Sequence, residues 1–295
     1  MPSLEITTMI GCPLRCTFCP QDSLRTAYGR DAAKYMSLET FRTVLAKLPK
    51  HVRVDFSGMA EPWSNPRATD MLELTLDAGY RVAIYTTLYG MNREDCWRTI
   101  RLLRRFAGQI ETVCLHLPDK RGNMRGWRHS PEWEANLLDF AALSRERLFR
   151  FEAMTMDGGG QVHESLAHLG ITTPAWELHT RAGNVTDKDV GGQAMTPPPS
   201  HAGPVACSFT PFMDQNVLLP NGDVLLCCMD YSSKHRLGNL LEQDYYDIFA
   251  GQEMGRLRAE NTRAEFSDRS LCRSCNRAVP HALPHGNLIW QPVRV

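Results

Sequence analysis

The sequence predicts an α/β chain, a partial barrel of parallel strands followed by a small second module. Short β-rich apolar runs alternate with longer stretches of helical period, the pattern of repeated βα units and a mainly parallel sheet. That alternation stops after Asn184, where Gly, Pro and small residues take over. The length, 295 residues, fits one large α/β domain or a barrel with an appended module.

The predicted strands are LEITTM from residue 4, VRVDFS from 52, RVAIYTT from 81, ETVCLHL from 111, FRFEAMTM from 149 and WELHT from 176. Helices are expected between them over about 39–48, with Ser37 as N-cap, and over 66–78, 93–107, 131–148 and 160–169. Six strands and the helices between them make a partial (β/α)6, TIM-like barrel, whose chemistry belongs on the loops at the carboxyl ends of the strands. The stretch 186–206 reads as a linker, so the barrel is assigned to 1–185, the second module to 207–280 and a tail to 281–295. In the module, NVLLPNGDVLLCC from 216 carries a hairpin signal at Pro-Asn-Gly-Asp, and DYYDIFAGQEMGRLRAE from 244 reads as an amphipathic helix.

Lys plus Arg and Asp plus Glu balance at 33 each, so no polyanionic partner is indicated, and neither is nucleic acid. A small uncharged or mildly charged substrate fits better. No apolar run approaches the ~20 residues that span a bilayer, and the first residues lack the basic and apolar regions of a signal peptide. No membrane association is expected, and a cytoplasmic location is. In a reducing compartment ten cysteines are not a disulfide framework, and their clustering points to metal or redox work.

The first cluster, in IGCPLRCTFCPQD from residue 10, is Cys12, Cys16 and Cys19, on the loop that follows the first predicted strand. A structural zinc site closes with four ligands. Three thiols therefore either borrow a distant ligand or leave one metal position open for chemistry. Thiolates also hold iron-sulfur clusters, where three of them on a four-iron cube leave one iron free.

The CxxxCxxC of Cys12, Cys16 and Cys19, with Phe18 before the last cysteine, resembles the radical S-adenosylmethionine (SAM) superfamily. The resemblance implies that the open iron holds the amino and carboxylate groups of SAM. GMAEP, residues 58–62, resembles the family's GGEP segment, with Met59 and Ala60 as departures; it implies that the Gly58 backbone and the Glu61 carboxylate lie near the SAM ammonium. YTTLYG from residue 85, with Thr86, resembles the adenine-side loop. RAGN, residues 181–184, offers Arg181 and Asn184 to the SAM carboxylate or ribose, or forms only a solvated turn.

Downstream, Cys207, GDVLLCCMD from 222, GNL from 238 and CRSC at 272–275 resemble the family's C-terminal twitch domain, the short form of the SPASM module. The resemblance implies that Cys207, Cys227, Cys272 and Cys275 ligate one auxiliary 4Fe-4S cluster; a four-cysteine zinc site suits the same spacing. Two 4Fe-4S clusters, SAM and a flavodoxin- or ferredoxin-type electron donor follow from the family.

What the resemblance implies for activity is cleavage of SAM to a 5'-deoxyadenosyl radical that abstracts a hydrogen from substrate. An auxiliary cluster that accepts an electron then gives dehydrogenation; a thiol that returns hydrogen from the other face gives epimerisation. Cys96, in a predicted helix, reads as packing. Cys114 and His116 share strand parity and can face the barrel interior, while Cys228 adjoins a cluster ligand and is expected to point away from it. These three, Cys114, His116 and Cys228, are the catalytic candidates. Asp55, Tyr85, Asp119, Glu152 and His179 are candidates for substrate contacts.

Only eleven residues precede Cys12, which argues against a leader-binding domain of the peptide-maturase kind. A small carbohydrate-like substrate is therefore expected, an aminoglycoside, aminocyclitol or sugar, with a place in antibiotic biosynthesis by resemblance. Epimerisation is favoured because spare thiols exist. Dehydrogenation, peptide modification and a non-catalytic iron-sulfur or zinc sensor or scaffold are the alternatives.

Overall fold

A computed structural model describes residues 1–281 except 31, 157–158, 175–177, 192–194 and 198–199. Its barrel half runs β1 (Ser3–Ile6), α1 (Gln21–Tyr28), α2 (Leu38–Lys47), β2 (Arg53–Phe56), α3 (Ala68–Asp77), β3 (Val82–Thr86), α4 (Arg93–Arg105), β4 (Ile110–His116), α5 (Pro131–Ser144) and β5 (Arg150–Met154). The second half contains β6 (Val205–Cys207), β7 (Gln215–Leu218), β8 (Asp223–Leu225), β9 (Arg236–Asn239), α6 (Tyr245–Ala250), α7 (Gln252–Asn261) and β10 (Ala278–Pro280). No helix among the described residues is long and apolar enough to cross a membrane.

Local chemistry sets the helix starts. Ser37 accepts from Thr40 N, Asn92 from Asp95 N and Ser130 from Trp133 N, each satisfying a first-turn amide that has no helical partner. The helices lay apolar faces such as Phe41, Val44, Met71, Leu72 and Leu103 on the outer side of the sheet, against Val54, Phe56, Val82, Ile84 and Val113. Alternation turns the other residues of the same strands inward. In register, Ser3 stands beside Arg53, Glu5 beside Asp55, Tyr85 beside Cys114 and His116 beside Met154.

The main sheet has eight strands in the order β5-β4-β3-β2-β1-β7-β8-β9. β1 is its hinge, pairing in parallel with β2 on one side and β7 on the other. The hairpin of the second module thus continues the barrel sheet, and β8 and β9 add to it antiparallel. β6 and β10 form a separate antiparallel pair.

Several expectations are corrected. The sixth predicted strand is not a strand among the described residues: His179 makes only an isolated bridge to Thr196, and Trp176 and Glu177 lie outside the described residues. Residues Glu164–Leu169 form a short 3-10 turn rather than an α-helix. The helix expected from 244 is two helices, broken where Gly251 adopts extended backbone. α1 was not expected, and it begins two residues after Cys19. The tail assigned to 281–295 lies outside the described residues beyond 281.

One close approach fixes the geometry at the top of the sheet. Gly58 has φ +69°, and a Cβ there would meet Thr7 Oγ1 at 2.5 Å and Thr7 N at 2.8 Å. Gly79 has a similar φ, +82°, with nothing within 4 Å. Left-handed backbone costs a non-glycine residue about 1–2 kcal/mol, so Gly79→Ala should lose roughly that much. Gly58→Ala adds a clash with backbone and should lower the thermal midpoint clearly further in a calorimetric scan; equal shifts would contradict the tight β1–β2 approach.

Candidate active site

Cys12, Cys16 and Cys19 are carried on the loop between β1 and α1, which is braced from two sides. Gln21 accepts from Cys12 N (3.2 Å) and donates to Met59 O (2.6 Å), tying the loop to the segment after β2. On the other side the segment after β4 runs against it: Thr17 N donates to Asn123 O (3.0 Å), Thr17 Oγ1 to Asn123 Oδ1 (2.6 Å) and Gly126 N to Leu14 O (2.6 Å). A Cβ on Gly126 would overlap the Pro13 carbonyl. Asp119 shapes this second brace, its Oδ1 accepting from Arg121 N, Asn123 N and Asn123 Nδ2 at 2.9–3.2 Å.

The three thiols line one cavity and affect each other's protonation. Cys16 hydrogen-bonds to Cys19, which together with Arg181 and the Tyr231 hydroxyl pulls the Cys19 thiol down to about 6. Burial pushes Cys12 up to about 12. The same hydrogen bond to Cys19, with burial, holds Cys16 well above the usual thiol range, so of the three only Cys19 is eased toward the thiolate, the metal-binding form. Phe18 packs with Leu178, Val185 and Val190, and its carbonyl accepts from Arg181 Nε at 3.4 Å.

Of the other expected SAM contacts, Thr86 and Asn184 do not line this cavity, and the rest do. Gly58, Met59, Ala60 and Glu61 line it. The Glu61 carboxylate, however, is held by Thr86 Oγ1 (2.6 Å), Thr87 N and Oγ1 (both 2.7 Å) and Trp63 N (3.2 Å). Glu61 therefore binds the ends of β2 and β3 together, and Thr86 is one of its braces. Arg181, at φ 49°, reaches into the cavity, while Asn184 Nδ2 donates to Arg181 O (2.9 Å) and Met229 O (3.2 Å).

Below the cysteines the cavity, about 330 Å³, has a polar floor built from the inward residues of the strands: Glu5, Arg53, Asp55, Tyr85 and His116. Arg53 grips both oxygens of Asp55 (2.6 and 2.8 Å) and also binds Glu111. Burial and the positive charge of Arg181 hold His116 down at about 4, so it is neutral at neutral pH. Glu5 was not anticipated. It is a single acid inside an apolar strand, and only its inward parity, shared with Ser3, could have signalled it.

The cysteines outside the ligand sets separate clearly. Cys96 is fully buried in the core, as expected. Cys114, paired in register with Tyr85, is also fully buried and does not line the cavity. Cys228 does line it, in hydrogen-bond contact with Glu5. The expectation that strand alternation aims Cys228 fails because β8 ends at Leu225 and both Cys227 and Cys228 lie beyond it. Of the polar candidates, His179 lines the cavity, whereas Glu152 and Asp119 do not.

Cys207, Cys227, Cys272 and Cys275 line a second, smaller cavity of about 50 Å³ with apolar neighbours such as Leu271 and Ala278 and polar ones such as Glu5, Gln215 and Arg277. The β6–β10 pairing sets Cys207 beside Ala278, across from Cys275. Asp230 folds the chain after Cys227 by accepting from Lys234 N and His235 N, both at 2.8 Å. His235 then joins the parts: Leu271 N donates to its Nε2 (3.0 Å), which leaves the proton on Nδ1 to donate to Glu253 (2.7 Å). The Arg273 guanidinium, fully buried, donates to the carbonyls of His201, Gly203, Glu260 and Arg263 and so fixes the turn between Cys272 and Cys275. Glu5, Phe209, Gln215, Cys228 and Met229 line both cavities.

The donor sets fit sulfur-ligated clusters: each set is all thiol, and each lines a cavity. Among the described residues no three His, Cys, Asp or Glu are grouped to hold a single metal ion. Cys12, Cys16 and Cys19 would hold one cluster with a position left open, and Cys207, Cys227, Cys272 and Cys275 a second.

Residues 207–276 match the SPASM family, an iron-sulfur cluster-binding domain. Among solved structures, the chain is similar to BtrN in complex with AdoMet and 2-DOIA, at 16% identity, covering 90% of this chain and 88% of that one, with a TM-score of 0.58. It is also similar to anSMEcpe with bound AdoMet and the Cp18Cys peptide, at 13% identity over 93% and 86%, with a TM-score of 0.54. No curated protein sequence matches the chain. The chain thus shares its α/β fold with these two AdoMet-bound structures and carries a SPASM match over residues 207–276.

The braces of the cysteine loop can be tested separately from the cysteines. Asp119→Ala removes the acceptor of two backbone amides and one side-chain amide, each worth about 1 kcal/mol or more. After anaerobic reconstitution, iron and sulfide bound to the first site should fall by at least half, with the second site still loaded. Unchanged loading of both sites would show that the brace is dispensable.

Proposed function

We propose, for a chain with this fold and module, that it is a radical SAM enzyme that epimerises a carbon of a small polyhydroxylated substrate, with Cys228 as hydrogen donor. The observation that supports it most is the position of Cys228. Of the three cysteines outside the two ligand sets, it alone lines the cavity of about 330 Å³, and it reaches that cavity beside Glu5 from the segment just past β8 rather than from the loop that carries Cys12, Cys16 and Cys19.

When bound, a four-iron cluster with SAM on its open position supplies a 5'-deoxyadenosyl radical that takes a hydrogen atom from the substrate. That BtrN and anSMEcpe hold AdoMet supports SAM as the cofactor here. The chain contributes a shielded chamber: Leu14, Phe18, Met124, Met154 and Met156 wall it, which keeps water away from a radical. The polar floor offers donors and acceptors for several hydroxyls. Arg181 lies where it can bind a carboxylate, next to Cys19.

Cys228 then transfers the hydrogen atom of its S–H to the substrate radical, forming the new C–H bond. The sulfur-centred radical left behind takes one electron from a flavodoxin- or ferredoxin-type donor, and one proton, to return to the thiol. A second reading, dehydrogenation of a secondary alcohol, is supported by the nearness of the four-cysteine cavity, which shares Glu5, Cys228 and Met229 with the substrate cavity. An electron accepted there would leave an oxidised product. The peptide in the anSMEcpe structure supports a peptide substrate instead.

Turnover in deuterated water distinguishes these. With SAM, dithionite and a panel of aminoglycosides, aminocyclitols and sugars, 5'-deoxyadenosine should form and one solvent deuterium should appear on the epimerised carbon. Cys228→Ala should abolish deuterium incorporation, and Cys114→Ala should leave it unchanged. A product two mass units lighter from the unaltered enzyme selects dehydrogenation; stoichiometric zinc and no 5'-deoxyadenosine favour a sensor or scaffold.

A further inference from the structure

Glu5 has no role in the reading above beyond its contact with Cys228, and its surroundings ask for a partner. It sits on the central strand, in register between Asp55 of β2 and Val217 of β7, with its carboxyl facing the large cavity. The acids near it are paired. Asp55 is held bidentately by Arg53, and Glu111 is bound by Arg53 and Arg81. Among the described residues Glu5 makes no ion pair. Its contacts are Ser57 Oγ at 3.1 Å and the Cys228 thiol, both neutral. Arg181 is close enough to be felt but ranks last among the influences on it, after burial and the repulsion of Asp55, which together raise Glu5 to about 7.

A shielded carboxyl in this position is costly as an anion until a cation meets it. The cation must come from the cavity and must donate hydrogen bonds. A metal ion is a poor match, because Asp55, the nearest second carboxylate, is already committed to Arg53. A protonated amine on a small ring is a good one. It supplies one charge and up to three donors, and Tyr85, Phe209 and Tyr231, which also line the cavity, offer faces for the ring.

We propose that Glu5 is the seat of a protonated amine of the substrate, which makes the enzyme selective for amino-bearing rings over neutral ones. This rests on the reading of the cavity as the substrate site and narrows it. Because Glu5 touches Cys228, an amine on Glu5 also sets the register of the ring: the carbon that receives hydrogen is the one bearing the amine or its immediate neighbour.

The test is binding to the anaerobically reconstituted full-length protein by isothermal titration, with 2-deoxystreptamine, its N,N'-diacetyl derivative and the neutral cyclitol scyllo-inositol as probes. The expected result is at least tenfold tighter binding of 2-deoxystreptamine than of either uncharged probe. Glu5→Gln should remove that preference without weakening scyllo-inositol, and Glu5→Asp should retain part of it. Equal affinity for the three probes, including no measurable binding of any at millimolar concentration, overturns the proposal, as does a Glu5→Gln variant that weakens all three alike. Should Glu5→Gln not fold, the comparison of amine with acetylated probe on the unaltered protein decides. Formation of 5'-deoxyadenosine from SAM and dithionite is measured alongside. If it forms without amine preference, only the amine seat fails; if none forms, the parent reading fails with it.

Discussion

The parallel pairing of β1 with both β2 and β7 is the constraint on which the site depends. A strand with parallel neighbours on each side has its direction and register fixed twice. β1 ends in the loop of Cys12, Cys16 and Cys19, and β2 ends in the Gly58–Glu61 segment that closes over it. β7 turns back through β8 to deliver Cys227 and Cys228 beside Glu5, in the middle of β1. Three segments far apart in sequence thus meet along one short strand. Packing then holds them: Met59, Ile10 and Leu24 from the barrel half share an apolar cluster with Val217, Leu219, Leu225 and Tyr231 from the other.

The consequence is a division of labour among thiols of identical chemistry. Those on the loop after β1 are set by polar braces from Gln21, Asn123 and Asp119. Those of the second set are closed in by the buried Arg273 and by His235, whose ring links the Cys272 turn to Glu253 and whose backbone is held by Asp230. Cys228 belongs to neither. Adjacent in sequence to Cys227, it lies past the end of β8 and lines both cavities.

Much of this was legible in the sequence where the signal is local. The close spacing of Cys12, Cys16 and Cys19 is such a signal, and the capping residue Ser37 marks the start of α2. Three features were not legible. The sixth strand rests on a β-rich run, but a strand needs a partner strand, and among the described residues His179 and Thr196 form an isolated bridge rather than a ladder. Cys114 and Cys228 were indistinguishable as spare thiols, because only the fold shows Cys114 covered within β4 and Cys228 past the end of β8, lining the cavity. That the Glu61 carboxylate takes four hydrogen bonds from Thr86, Thr87 and Trp63, joining the ends of β2 and β3, could not be read from its motif. In each case the deciding contact joins segments that no sequence window spans.

The open position on the three-thiol site is tested most directly by electron paramagnetic resonance of the anaerobically reconstituted, dithionite-reduced protein with and without SAM. Binding of SAM to an iron should change the signal of one reduced cluster. The change should vanish when Cys12, Cys16 and Cys19 are replaced by alanine and persist when Cys272 and Cys275 are replaced. A spectrum indifferent to SAM in protein with both sites loaded, or a SAM-dependent change that follows Cys272 and Cys275 instead, would contradict a SAM site at the loop after β1.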